Sequence, residues 1–252
     1  MLRDDLGELY QGTATRVVSL VPSLTEAVAV AAAGLLVGAT DWCTHPESLD
    51  VPRVGGTKYP DLAKVRACRP DLVLANAEEN RRDDVESLRQ AGIQVWVTYP
   101  RDLKAAFASL GRLFQALRVD RPAWLDAAES VWSSPPPDTE RRAVVPVWRR
   151  PWVVLGSGTF AGDLLLRLGI GNVYADSPER YPRPTPEQIL ARRPDLVVLP
   201  DEPYRFTAED GPEAFPGVPY ALVSGRHLTW YGPSLVEARP LLERQLAATV
   251  TG

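Results

Sequence analysis

The sequence predicts an α/β protein built as two similar lobes facing each other, and three observations carry that expectation. Residues 69–80 read RPDLVLANAEEN and residues 193–204 read RPDLVVLPDEPY, the same phrase 124 residues apart in a chain of 252. An internal echo near half the length is the mark of a duplicated architecture. Each copy is preceded by a short helical stretch (YPDLAKVRAC, TPEQILAR) and followed by a turn and an extended apolar run (AGIQVWVTY, PGVPYALVS). Finally, 71–75 (DLVLA) and 195–199 (DLVVL) are continuously apolar, as parallel strands covered on both faces must be. The phrase endings would then lie at the mouth between the lobes, so a cleft that holds a ligand is the first expectation.

In chain order, RVVSLV (16–21) reads as the opening strand. Ser23 with Glu26 spells a capping box for a helix to about Ala33, with Gly34 as its stop. LVGAT (36–40) is a second strand, followed by the long loop DWCTHPESLDVPRVGGTKYP. After the first echo, Val85, Leu88 and Ala91 form a helical stripe that Gly92 ends. Leu103, Phe107, Leu110, Phe114 and Leu117 share one face over residues 102–117, an amphipathic helix. A further helix at 120–133, stopped by Pro135–Pro137, lies between the halves and is the natural bridge. The second half opens with strands AVVPVW and RPWVVLG and a helix near 160–168 closed by Gly169. Its last helix carries another capping box, Ser234 with Glu237, and Pro240 should kink or delay it. The resulting division is an N-terminal lobe (1–118), a linking helix (119–137) and a C-terminal lobe (138–252).

Composition narrows the function. Hydrophobic residues make up 45% and charged ones 24%, ordinary for a folded domain, and the net charge of −4 argues against nucleic acid as a partner. No run approaches the roughly 20 apolar residues of a membrane span. Acids at positions 4 and 5 and the lack of an apolar core before the first strand fit no secretion signal, so the expected location is cytoplasmic. Cys43 and Cys68 leave the redox compartment open.

RVVSLVPSLTEAV, then VGATDWCTHPESLDVPRVGG, a short helix and RPDLVLA, together with the DDLG opening at 4–7, resemble the first lobe of class III substrate-binding proteins, the helical-backbone metal receptors. The resemblance covers nearly the whole chain and is greatest to the cobalamin-binding members; siderophore and haem receptors share the architecture. It implies two Rossmann-like lobes joined by a single inter-lobe helix, with the ligand in the cleft. It also implies an acid on each lobe for docking to arginines of an ABC permease. Glu187 matches that position on the second lobe, but Arg82 stands in the first, with Glu78 and Glu79 nearby. A reversed charge would repel a basic permease surface, so permease docking is doubtful. The first-lobe aromatic that flanks a corrin is replaced by Asn76, Tyr181 falls where the second lobe offers an aromatic, and His227 stands where a cobalamin binder presents an acid.

The candidate ligand-binding residues are Trp42, Tyr59, Asn76, Glu79, Trp148, Arg149, Phe160, Tyr181, Tyr204, Arg205, His227, Trp230 and Tyr231. The aromatics fall in expected loops at strand ends, where rings can stack on a planar ligand; packing of the lobes is the alternative. Arg149, Arg150 and Arg205 share the expected rim with Glu78, Glu79, Asn80, Asp201 and Glu202. They would hold carboxylates or phosphate, or latch the lobes through ion pairs. His227, in the loop SGRHLTWYGPS, would contact the ligand, ligate cobalt or iron, or bond backbone. Cys43 and His45 are too few for zinc. GSGTFAG (156–162) is a weak near-match to a dinucleotide fingerprint, its third glycine one position late and in the second lobe, and no G-x-S-x-G elbow supports a nucleophilic triad. The expected function is therefore binding of a cobalamin-like, tetrapyrrole or metal-chelate ligand, as a cytosolic carrier, sensor or salvage protein. No cofactor is certain, though cobalamin or a haem-like group would suit the cleft. An enzyme of a biosynthetic pathway on the same scaffold, with His227 and Tyr231 as acid–base groups, and a transporter-linked receptor are the alternatives.

Overall fold

A computed structural model describes residues 2–139 and 141–250. The chain divides into two compact units. The first comprises residues up to Pro100, Lys104–Ala127 and Tyr231–Pro233; the second comprises Arg101–Leu103, Ala128–Trp230 and the chain from Ser234 onward.

The first unit opens with a small antiparallel pair, β1 (Leu2–Arg3) and β2 (Leu9–Tyr10). Its main sheet contains β3 (Val17–Ser19), β4 (Leu36–Ala39), β5 (Leu72–Asn76) and β6 (Gln94–Thr98), all parallel in the order β4-β3-β5-β6. Helices α1 (Pro22–Ala32), α2 (Leu62–Ala67) and α3 (Arg82–Gln90) connect the strands. Helices α4 (Leu103–Leu117) and α5 (Ala123–Val131) follow, and the boundary between the units passes within α5. The central strand β5 is buried at all five positions, as its uninterrupted apolar run requires. Val18, Leu20, Val73, Ala75, Val85, Leu88, Val95 and Val97 pack into one core. Each fully buried Val or Leu there contributes roughly 1.5–3 kcal/mol.

The second unit repeats the plan. β7 (Arg141–Val144) is followed by a short antiparallel pair, β8 (Pro146–Trp148) and β9 (Val153–Val154). Then come α6 (Phe160–Leu166), β10 (Ile170–Asn172), α7 (Pro186–Ala191), β11 (Leu196–Pro200), β12 (Tyr220–Val223), α8 (Gly225–Thr229) and α9 (Leu235–Ala247). β10, β7, β11 and β12 form a parallel sheet in that order. Its core gathers Val144, Val154, Ile189, Val197, Leu199, Phe206 and Phe215.

The echoed phrase does the same work twice. Arg69 (φ 48) and Arg193 (φ 50) end α2 and α7 in the left-handed conformation. The next acid then braces the amino end of the central strand of its unit. Asp71 accepts from the Thr15 amide (2.8 Å) and hydroxyl (2.7 Å) and from the Arg16 amide (3.1 Å). Asp195 accepts from the Arg142 amide (2.9 Å).

Local expectations were corrected at both capping boxes. Helix α1 starts on Pro22, whose fixed φ and missing N–H suit a first helical position, which leaves Ser23 inside the helix. Ser234 is itself helical (φ −56, ψ −22) and its side chain caps nothing. The box that does form is Thr185 with Gln188, at the start of α7. Helix α9 runs through Pro240 without a delayed start. Strands β1, β2 and β10 were not anticipated, being only two or three residues long. Part of the SGRHLTWYGPS loop is the helix α8. Among the described residues, no helix is long and apolar enough to cross a membrane.

Candidate functional site

In an open parallel sheet the carboxyl strand ends carry the loops free to meet a ligand. All but a few of the candidate residues fall in those loops, and the two units furnish them differently.

In the first unit the loop after β4 is built around Arg53, whose guanidinium donates to the carbonyls of Thr40 (3.0 Å), Cys43 (2.8 Å) and Leu49 (3.2 Å). The Asp41 amide bonds the Gly55 carbonyl (2.9 Å), so this loop is tied to the turn that carries Tyr59. The result presents two large aromatics to solvent: Trp42 is 67% and Tyr59 72% exposed. The Arg81 guanidinium lies over the Tyr59 ring, 5.4 Å from its centroid.

Beneath them lies a buried polar network. The Asn76 Oδ1 at the end of β5 accepts from the amides of Glu78 (2.8 Å) and Glu79 (3.3 Å), which turns the chain and sets Glu79 in place half-buried. Its Nδ2 donates to the Tyr231 hydroxyl (2.8 Å), which also meets the Thr98 hydroxyl (2.9 Å). Asn80 accepts from the Asn76 amide (2.8 Å) and donates to the Thr57 carbonyl (2.9 Å), drawing the Tyr59 turn into the same network. Burial raises the Tyr231 phenol above its ordinary value and the Glu79 charge adds to it, so the hydroxyl stays neutral. Asn76 and Tyr231 therefore act from below the surface. Thr98 went unnoticed in the sequence because a threonine ending a strand carries no signal of its own.

In the second unit the exposed Trp148 meets Tyr204 edge to face, ring centroids 5.6 Å apart. Arg149 is clamped by Asp210 and Glu213 and lies over Trp152, 5.1 Å from the ring centroid. The Tyr204 hydroxyl donates to Asp210 (2.6 Å). That bond, then the Arg149 charge, holds the Asp210 carboxyl below the usual range. Glu213 also sits low, because the Gly211 amide and Arg149 together outweigh its desolvation. Arg205 is exposed beside Tyr204. Trp148, Arg149 and Tyr204 thus form one cluster whose partners Trp152, Asp210 and Glu213 were missed, since acids in a Gly/Pro-rich loop look like solvated charge.

Elsewhere in this unit, Tyr181 (38% exposed) belongs to a loop that crosses the GSGTFAG segment. The Gly156 amide donates to the Arg180 carbonyl (2.7 Å), and a Cβ at Gly156 would lie 2.1 Å from the Glu179 carbonyl oxygen. That glycine admits backbone, and Phe160 is the buried first residue of α6 behind the Thr159 cap. His227 is buried with both ring nitrogens engaged: Nδ1 with Ser224 Oγ (2.8 Å) and Nε2 with Glu237 (3.0 Å). Neither nitrogen is left for a metal. Trp230 is buried with the Arg226 guanidinium 6.0 Å from its ring centroid.

Both cysteines are free buried thiols; Cys43 Sγ bonds the hydroxyls of Thr25 (3.0 Å) and Thr40 (3.1 Å). His45 Nδ1 bonds its neighbour Thr44 (3.1 Å). Among the described residues, no group of three or more histidine, cysteine or acidic side chains is placed to hold a metal ion.

Comparison with known proteins agrees with this architecture. A vitamin B12-binding protein of Pectobacterium carotovorum subsp. carotovorum (strain PC1) is 24% identical over 250 residues, covering 94% of this chain and 90% of its own. Among solved structures, a periplasmic haem-binding protein of Vibrio cholerae superposes with a TM-score of 0.72 at 17% identity, over 93% of this chain and 99% of its own. A Helicobacter pylori protein solved as a nickel–histidine complex superposes with a TM-score of 0.79 at 14% identity, over 97% and 87%. The periplasmic binding protein family model matches residues 17–213. With two parallel α/β units and that match across most of its length, the chain belongs to the periplasmic binding protein family.

Proposed function

We propose that this binding protein takes a flat, metal-bearing macrocycle, cobalamin-like or haem-like, reversibly and without chemistry on it. The observation that carries the reading is the set of exposed aromatic rings on strand-end loops. Trp42 and Tyr59 stand out from the first unit, and Trp148, backed by the half-buried Tyr204, from the second. With only two side-chain torsions, Trp and Tyr lose little entropy on ordering, and their faces stack on planar ligands. The vitamin B12-binding and haem-binding relatives support the same ligand class. Lysine and arginine near these rings (Lys58, Arg81, Arg205) supply cations for propionate, amide or phosphate groups. With both ring nitrogens of His227 engaged, recognition falls to stacking and edge contacts.

The protein's role is that of a carrier, sensor or salvage component working in the cytosol, apart from a permease. Arg82, at the start of α3, supports this: its charge is paired with Glu86 (2.6 Å) where an acid is needed for docking.

Titration of the purified chain with hydroxocobalamin and with haemin, followed by absorbance and thermal melting, tests the proposal. A spectral shift with one of them and a melting temperature that climbs with ligand are expected. No change with either at about 100 μM would overturn the reading, because a ligand of the folded state must stabilise it. Trp42→Ala and Trp148→Ala are each expected to weaken binding about tenfold.

A further inference from the structure

The strand–helix junction after β12 contains a chain of contacts that ligand binding does not use. Ser224 follows the last residue of β12 and immediately precedes α8. A serine in that position ordinarily caps the helix, but this side chain makes no cap bond. Its hydroxyl instead faces His227 Nδ1 at 2.8 Å, and His227 Nε2 faces Glu237 Oε1 at 3.0 Å. Glu237, read from the sequence as a capping residue, is spent on the histidine. The junction is also tightly turned: a Cβ at Gly225 would lie 2.4 Å from Glu202 Cγ and 2.6 Å from the Glu202 carbonyl oxygen. The Gly225 amide is held by Asp201 (2.6 Å). A serine on a crowded strand-to-helix turn, a histidine on its hydroxyl and an acid on the far ring nitrogen are the parts of a nucleophilic triad, without its usual sequence signature.

We propose that Ser224, His227 and Glu237 form a relay that hydrolyses small activated acyl esters, with Ser224 as nucleophile. A carboxylate at Nε2 keeps the ring proton there and leaves Nδ1 as the acceptor facing the serine. Ser224 Oγ attacks the ester carbonyl carbon while its proton passes to Nδ1. The tetrahedral adduct collapses, the C–O bond to the alcohol breaks, and the alcohol leaves with the proton from Nδ1. Water then attacks the acyl-serine, giving one proton to Nδ1. The carboxylic acid departs as Ser224 takes that proton back. Glu237 steadies the imidazolium in both halves, and Arg226, 3.6 Å from the same Glu237 oxygen, keeps that acid in place. Ser224 is half-buried and His227 9% exposed, so the relay suits a small acyl group.

The test uses the full chain with 4-nitrophenyl acetate and, separately, a fluorophosphonate probe read by mass spectrometry. Expected are steady turnover of the ester and a single covalent adduct on Ser224. S224A should abolish both, and H227Q should slow both about 100-fold. E237Q, which keeps the shape and loses the charge, should slow them by a smaller factor. An adduct spread over other residues with Ser224 untouched overturns the proposal, as does an S224A variant that hydrolyses the ester at the parent rate. Should S224A fail to fold, the labelling site on the parent chain decides alone. Cobalamin or haem titration is a separate readout, so failure of the relay leaves the binding proposal standing.

Discussion

The two RPDLV segments begin alike and end differently. In both, an arginine in the left-handed region closes a helix and an aspartate braces the central strand, and a fully buried strand follows. Past the strand the first copy turns on Asn76 into a buried network of amides and hydroxyls. The second turns into an aromatic cluster held by ionised groups, Arg149 with Asp210 and Glu213. The shared half encodes the scaffold and the divergent half encodes the surface. One tail is pinned by neutral, buried hydrogen bonds, the other by ion pairs at the surface.

That contrast can be broken at several points. The largest effect is expected at Asn76: N76A removes two turn bonds and leaves the Tyr231 hydroxyl short of a donor inside the protein. It should cost about 3 kcal/mol in denaturant unfolding. A cost below about 1 kcal/mol would show that the first tail is not held by this network. Next come the paired acids. D71A loses bonds to a hydroxyl and two amides and should cost about 2 kcal/mol, against about 1 kcal/mol for D195A; equal costs would erase the asymmetry.

The arginines at positive φ give a smaller, opposite change. Left-handed backbone costs a side-chain-bearing residue about 1–2 kcal/mol, while glycine loses about 0.5–1 kcal/mol of unfolded-state entropy. R69G and R193G should therefore each stabilise by about 0.5 kcal/mol. Destabilisation of either would show that its side chain matters more than its backbone.

The smallest effect is expected from pH, because the groups concerned are well exposed and screened. The Asp210 and Glu213 carboxyls are lowered in the folded state, so their contribution is complete above their unfolded values. It is lost as pH falls through the depressed folded values. Protection factors, corrected for the pH dependence of intrinsic exchange, should then fall in 204–215 on acidification while 74–80, held by neutral hydrogen bonds, keeps its own. Parallel loosening of both segments would contradict the contrast.

The sequence made the scaffold legible and the site only partly so. Buried parallel strands leave unbroken apolar runs, and helices such as α4 leave a stripe, so DLVLA, DLVVL and Leu103–Leu117 could be placed. Strands of two or three residues leave no period, and β1, β2 and β10 fall below what a pattern can register. At the site, Trp42, Tyr59 and Trp148 could be chosen because an aromatic in a polar loop is conspicuous. What could not be read is which partner a side chain takes. Ser234 and Glu237 have capping spacing, yet Glu237 reaches the imidazole of His227, ten positions earlier in the chain. Asn76 is conspicuous at a strand end, but its four side-chain bonds, one of them to a residue 155 positions away, leave no pattern in the sequence.

Residues 2–11 also govern how the protein behaves in concentrated solution. β6 is the outermost strand of its sheet, with a central QVWVT run. Its outer backbone is occupied: the Val97 amide donates to Asp4 (3.0 Å), the Val97 carbonyl accepts from Asp5 (3.1 Å), and the Tyr99 amide donates to Asp5 (2.7 Å). Gln94 is tied to Gln11 on the same side. An uncovered edge of that kind recruits strands from neighbouring molecules. A variant trimmed to begin at Gly12 should oligomerise or precipitate as its concentration rises, which gel filtration would reveal. The DDLG opening thus serves as a guard against self-association, and fusion partners belong at the other end of the chain.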